Sequence, residues 1–215
     1  MKKVVVAVLS VLTSLGLVGL FPSAAQAAPA APLYFALGDS YAAGLGNTTA
    51  AGLTSYADLL VTRGYVQYGA KLAEPYGGTT DSVIADQVPQ VNRSAKLVTL
   101  TVGGNDVGWV NVVAACVAGD PTSAACQTAV AQSQTAIAGL KPKVEATIRA
   151  IKRQTPSARI VVTGYPLLFP TTNPLTPLNV GLNRAMAAAA MRRTSRSSTW
   201  SRPSWGTTCC LRTGG

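Results

Sequence analysis

The stretch Leu33-Tyr34-Phe35-Ala36-Leu37-Gly38-Asp39-Ser40-Tyr41-Ala42-Ala43-Gly44-Leu45-Gly46 decides the fold. An apolar run of strand length breaks off at Gly-Asp-Ser, and small residues with two more glycines follow. A strand that stops there and turns at once places the Ser40 hydroxyl at the carboxyl end of a sheet. Open α/β sheets hold their chemistry at that end. The same residues also fit a tight turn in which Ser40 caps the next helix.

A second stretch, Lys96-Leu97-Val98-Thr99-Leu100-Thr101-Val102-Gly103-Gly104-Asn105-Asp106, is another buried-type strand with polar residues just past its end. A first strand ending in Gly-Asp-Ser and a later one ending in Gly-Gly-Asn-Asp, in that order, resembles the SGNH (GDSL-type) hydrolase family. The likeness is strongest to secreted actinobacterial esterases and lipases and runs from about Leu33 to Arg184. It implies an α/β three-layer sandwich with a mostly parallel, flavodoxin-like sheet, and a serine hydrolase acting on carboxylic esters. The order of the remaining segments agrees, because strands alternating with helical runs make a mostly parallel sheet covered on both faces.

The chain has 215 residues, enough for one α/β domain with a sizeable core. Charged residues make up 12% and apolar residues 48%, which excludes disorder for most of it. The net charge of +10 is unevenly placed. Lys2 and Lys3 carry part of it, and Arg192, Arg193, Arg196, Arg202 and Arg212 carry more, with no acid after Glu145. No basic face with interleaved aromatics runs through the body, so the charge does not point to nucleic acid. The tail arginines also lack the amphipathic spacing of a membrane-surface helix.

Lys2-Lys3, the apolar stretch Val4 to Leu20 and Ala25-Gln26-Ala27 read as a secretory leader over residues 1–27. A membrane anchor is the other reading of that stretch. Residues 28–190 form the predicted domain, and 191–215 an aberrant, disordered basic tail. Export permits disulfides. Cys116 and Cys126 flank a loop with Gly119-Asp120-Pro121 and are predicted to pair; two free buried thiols are the alternative.

Along the body, Ser55 to Arg63 reads as a short helix. Gly64 to Tyr68 is an ambiguous strand. A helix runs from Thr79 or Thr80, either of which can cap it, towards Gln90. Val107 to Ala118 is helical. Ala124 to Gln154 is a long helical stretch in which Pro142 is predicted to start a new helix after Gly139. Arg159 to Val162 is a strand leading into Thr163-Gly164-Tyr165-Pro166, and Leu178 to Ala190 is the last helix.

Acyl transfer by serine needs a nucleophile, a base held in orientation and donors for the oxyanion. The resemblance assigns Ser40 as nucleophile, and the Ser40 N–H, a glycine N–H and the Asn105 side-chain amide as oxyanion donors. Gly77 fits the glycine role first and Gly78 second. The local pattern Tyr76-Gly77-Gly78 departs from the family's usual Ser-Gly-Ala, so a plain helix-entry turn is the competing reading. For Asn105 the competing reading is a turn residue. Asp39 and Asp106 are read as fixing loop geometry through backbone hydrogen bonds. Gly38-Asp39-Ser40-Tyr41-Ala42 is not a G-x-S-x-G elbow, which argues against the α/β-hydrolase fold. No metal or cofactor is implied.

The base is missing, because the chain contains no histidine. In the resembled family a histidine on a loop after the last strand activates the serine, often oriented by a nearby Asp or a carbonyl. From Met191 onward there is neither His nor Asp. Read with GC-rich codons and shifted by one nucleotide, this region becomes a Val-Ala-Val-Val-Asp-Val-Val run followed by Gly-His, with the histidine in the codon of Thr207. A frameshifted C-terminus that lacks the last strand and the catalytic loop accounts for both absences. The leading expectation is therefore a secreted, monomeric SGNH-type esterase or lipase acting on a small-molecule ester or a lipid. It is crippled as written, binds no nucleic acid and is not inserted in a membrane once the leader is removed. The alternative is a secreted non-catalytic binding protein on the same fold.

Overall fold

A computed structural model describes residues 30–49, 52–191 and 211–212. The predicted leader and most of the predicted basic tail lie outside these residues. The described residues from Ala31 onward form one compact unit. In chain order it contains β1 (Leu33–Gly38), α1 (Ser40–Ala43), β2 (Thr48–Thr49), β3 (Gly52–Leu53), α2 (Tyr56–Thr62) and β4 (Gln67–Lys71). Then come α3 (Thr80–Ser82), β5 (Leu97–Thr101), α4 (Trp109–Val112), α5 (Ala124–Gln154), β6 (Arg159–Val162), α6 (Thr176–Ala190) and β7 (Leu211–Arg212).

The main sheet has the order β4-β1-β5-β6-β7. Its first four strands are parallel. β1 is buried on both faces from Tyr34 to Gly38, which is why its sequence reads as an unbroken apolar run instead of an alternation. One face carries most of the core. There Phe35, Leu37, Val98, Leu100 and Ile160 meet Val83, Leu140, Val144 and Ile151, with Leu182 and Met186 of α6. On the other face Tyr34 and Ala36 pack against Ala57 of α2 and against Val66. That second face also holds a ladder of hydroxyls. Tyr34 Oη meets Thr99 Oγ1 at 2.7 Å, Tyr56 Oη meets Thr101 Oγ1 at 3.0 Å, and Thr101 Oγ1 meets Thr163 Oγ1. Each hydroxyl of this ladder therefore has a partner and avoids the cost of an unmade bond.

Several local expectations are refined. The ambiguous strand exists but starts later, at Gln67, and is mostly exposed at the sheet edge, which is why its apolar signal is weak. Thr79 is the cap of α3, its side chain accepting the Ser82 N–H. The helical stretches after Thr79 and after Val107 run to Gln90 and Val117, close to the expected ends, but only their first turns are α-helix. The first widens into a π-turn over Val83–Gln87, and the second does so over Val113–Val117.

Pro142 does not start a new helix, because α5 runs through it for 31 residues. A mid-helix proline removes one backbone bond and costs about 3 kcal/mol. Leu140, Val144, Thr147 and Ile151, buried on both sides of Pro142, supply packing that outweighs that cost. Cys116 and Cys126 are disulfide-bonded and tie the π-turn after α4 to the first turn of α5.

The free edge of β6 is not bare. Where the sequence leads one to expect the last strand to be missing, the two-residue strand Leu211–Arg212 pairs antiparallel with Val161–Val162.

Candidate active site

Strand order reverses between β1 and β5, since β4 lies beyond β1 on one side and β6 beyond β5 on the other. Ligands of open α/β sheets bind at such a switch point, beyond the carboxyl ends of the strands. β1 and β5 pair in register from Tyr34 with Leu97 to Gly38 with Thr101. Their ends are therefore level, and Asp39-Ser40 emerges beside the loop that carries Asn105.

The nucleophile turn is fixed by Gly38. Its φ is +131°, and a Cβ there would fall 1.9 Å from the Thr101 carbonyl oxygen, so no other residue fits. Gln87, buried under the turn, holds Gly38 from both sides. Its Oε1 accepts the Gly38 N–H at 2.8 Å and its Nε2 donates to the Gly38 carbonyl at 2.8 Å. The helix cap falls to Asp39, whose carboxylate accepts the Tyr41 N–H at 3.1 Å. Ser40 is thus the first helical residue and not the cap, and its half-buried hydroxyl is spared for other work.

Asn105 stands opposite. Its Nδ2 donates to the Gly78 carbonyl at 2.8 Å. A carboxamide carries two N–H groups, and one of them ties the Asn105 side chain to the Gly78 segment. Gly78 is buried, and a Cβ on it would lie 2.9 Å from the Gly38 carbonyl oxygen and 3.0 Å from Asp39 Cα. Gly77 is exposed, has φ +80° and faces open space. Asp106 braces the same loop. Its carboxylate accepts the Thr80 N–H at 2.9 Å and the Thr80 hydroxyl at 2.5 Å, with Lys143 Nζ at 3.6 Å. Three segments, ending at Ser40, Gly78 and Asn105, are thereby held to one another through backbone contacts and short hydrogen bonds.

Tyr165 joins two of them and was not singled out in the sequence. It follows β6 in Gly164-Tyr165-Pro166, at the carboxyl end of the strand next to β5, and that shared position was the available signal. Its hydroxyl donates to Asp39 Oδ2 and accepts the Gly104 N–H at 2.8 Å. Asn183 of α6 pins its backbone with two bonds of 2.8 Å. Burial pushes the Asp39 carboxyl up to about 6, even though the Tyr165 and Tyr41 bonds pull it down. Burial, and then the Asp39 charge, hold the Tyr165 phenol well above its usual range, so it stays a neutral donor.

Ser40 opens onto a cavity of about 170 Å³, walled by Tyr41, Gly104, Trp109, Tyr165, Leu168 and Leu182 among others. A larger, shallower depression lies elsewhere, between the segment after α4 and α5, and no charged residue lines it. Among the described residues no helix is long and apolar enough to cross a membrane.

Comparisons with known proteins bear on the fold and the family. The chain is similar to the protein named "Lipase" from Streptomyces rimosus, 32% identical over 149 residues, covering 63% of this chain and 53% of the relative. It is similar to "Lipase 1" from Streptomyces coelicolor, 28% identical over 146 residues, with the same coverage. The chain thus spans about half the length of the curated relatives it matches. Among solved structures it resembles phospholipase A1 from Streptomyces albidoflavus, with TM-score 0.60 and 27% identity over 75% of this chain and 73% of that one. It also resembles an extracellular lipase from Streptomyces rimosus, with TM-score 0.56 and 27% identity over 74% and 73% of the two chains. Residues 36–199, most of the chain and both strand-end motifs, match the model of one family. This protein belongs to the GDSL-like lipase/acylhydrolase family.

Proposed function

We propose that this protein is a serine ester hydrolase, an esterase or lipase, in which Ser40 attacks the carbonyl carbon of a carboxylic ester. The oxyanion would be met by the Ser40 N–H, by the N–H of Gly78 or Gly77, and by the Asn105 amide. The observation that carries this reading is the Asn105 Nδ2 to Gly78 carbonyl bond, with Gly78 packed against Asp39. The close packing of Gly78 supports giving it the donor role before Gly77. A neutral amide stabilises the developing oxyanion without supplying a competing proton, and such a donor is typically worth about 3–4 kcal/mol.

One chain supplies all of these residues, in keeping with a monomer acting on a small-molecule ester or a lipid. The leader-like residues 1–27, and the extracellular lipase among the similar structures, support action outside the cell. With no histidine in the chain, the serine lacks the base that would take its proton. Loss of a triad member typically lowers rates by on the order of 10⁴–10⁶. Hydrolysis of p-nitrophenyl acetate by the protein and by Ser40→Ala tests the assignment. The expected result is slow turnover that falls further in Ser40→Ala. Turnover that is fast and unaffected by the substitution would overturn the role of Ser40.

A further inference from the structure

The loop that carries Asn105 is tied to its surroundings at Gly104, Asn105 and Asp106. Asn105 Nδ2 reaches the Gly78 carbonyl and the Asp106 carboxylate reaches Thr80, so these bonds lead to the segment 78–80. The Gly104 N–H leads elsewhere. It donates at 2.8 Å to the Tyr165 hydroxyl, which donates in turn to Asp39 Oδ2, one residue before Ser40. The sheet alone does not set this spacing. β5 ends at Thr101, whose carbonyl accepts the Asp39 N–H at 3.0 Å, and Gly104 lies beyond that end. A bridge from an N–H to a carboxylate must accept on one side and donate on the other, and a hydroxyl does both at one atom. The fit is close. A Cβ at Gly104 would fall 3.1 Å from Tyr165 Oη, and Asn183 holds the Tyr165 backbone N–H and carbonyl.

We infer that Tyr165 is a positioning residue of the oxyanion site, its hydroxyl holding the turn at Gly104 and Asn105 in place relative to Ser40. Without that hydroxyl the Gly104 N–H and Asp39 Oδ2 each lose a bond. The turn then settles away from the place where the Asn105 amide meets the oxyanion. A misplacement on the order of 1 Å costs up to about 10²-fold in rate. Tyr165→Phe keeps the ring, which walls the cavity and lies 5.9 Å from the Tyr41 ring. Substrate binding should therefore survive while the chemical step slows. This inference rests on reading Ser40 and Asn105 as the reacting site.

Two measurements on the full chain and on Tyr165→Phe test it, both well above about pH 6, where Asp39 is charged. The first is amide hydrogen exchange. In the unsubstituted protein the Gly104 N–H should exchange at least about 100-fold more slowly than an unbonded amide. In Tyr165→Phe it should speed up at least about tenfold, while the Thr80 N–H, held by Asp106, changes by less than about twofold. The second is the Ser40-dependent turnover of p-nitrophenyl acetate, the rate above that of Ser40→Ala. Its kcat should fall about 10- to 100-fold in Tyr165→Phe, with KM within about twofold. A Gly104 N–H that exchanges freely in the unsubstituted protein would overturn the inference, and this arm needs no variant to fold. Unchanged protection of Gly104 in the variant would overturn it as well. So would equal loosening of Gly104 and Thr80, release of Gly104 with kcat unchanged, or a rise in KM at constant kcat. Turnover that is the same in Ser40→Ala would end the hydrolase reading and the positioning role with it. Ser40-dependent turnover that ignores Tyr165→Phe would sink the inference alone.

Discussion

Asp39 sits one residue before the candidate nucleophile with its carboxylate 2% exposed, capping α1 and accepting from Tyr165. Burial raises its pKa from the ordinary 3.8 to about 6, a gap of about 3 kcal/mol. A raised carboxyl pKa means that the folded state holds the proton more tightly than the unfolded chain. Its contribution to stability is fully present below about pH 4 and is lost as pH rises through about 6. Denaturation in urea at pH 4 and pH 7, for the protein and for Asp39→Asn, measures this. The unfolding free energy of the unsubstituted protein should drop, relative to the variant, by up to about 3 kcal/mol between the two pH values. A constant difference would show that Asp39 does not titrate in this range.

Gly38 gives the second prediction at this scale. Gly38→Ala must displace the Thr101 carbonyl and break the β1–β5 register at its end. A loss of about 2–4 kcal/mol in urea denaturation is expected, from strain and overpacking together. A loss below about 0.5 kcal/mol, the range of ordinary surface substitutions, would contradict the close approach.

Among the elements, β1 and β5 were legible because both are buried on both faces past their first residue, so apolar and β-branched residues run along them without alternation. β4 was not, because three of its five residues are exposed at the sheet edge and lack that pattern. The π-turns left no trace, since a helix that widens for one turn keeps its apolar residues at nearly helical spacing. Pro142 misled because a proline's local cost is visible in sequence, while the packing on both sides of it is not.

The position of Ser40 and Asn105 just past the ends of β1 and β5 was legible in the sequence. Tyr165 becomes meaningful only when β6 is placed beside β5, which brings its hydroxyl to Asp39 after β1. The Cys116–Cys126 bond links the turn after α4 to α5 beside an apolar cluster of Val112, Ala129 and, from α6, Leu178. It closes a short loop, so Cys116→Ser with Cys126→Ser should cost about 2–3 kcal/mol in thermal or chemical unfolding. An unchanged midpoint would place the stability of this corner in the apolar cluster alone.

At the scale of the molecule, the sheet gathers a hydroxyl, an amide and a packed glycine at one switch point, while the sequence withholds an imidazole. Strand order explains the gathering. The composition of residues 191–215 explains the absence only if the reading frame changes there. The most direct measurement replaces residues 191–215 with the one-nucleotide-shifted sequence, which carries histidine in place of Thr207, and records initial rates on p-nitrophenyl acetate. The account predicts a gain of at least about 10⁴-fold, abolished by Ser40→Ala and reduced about 10²–10³-fold by Asn105→Ala. A restored chain that folds yet hydrolyses no faster, or whose rate ignores both substitutions, would contradict it.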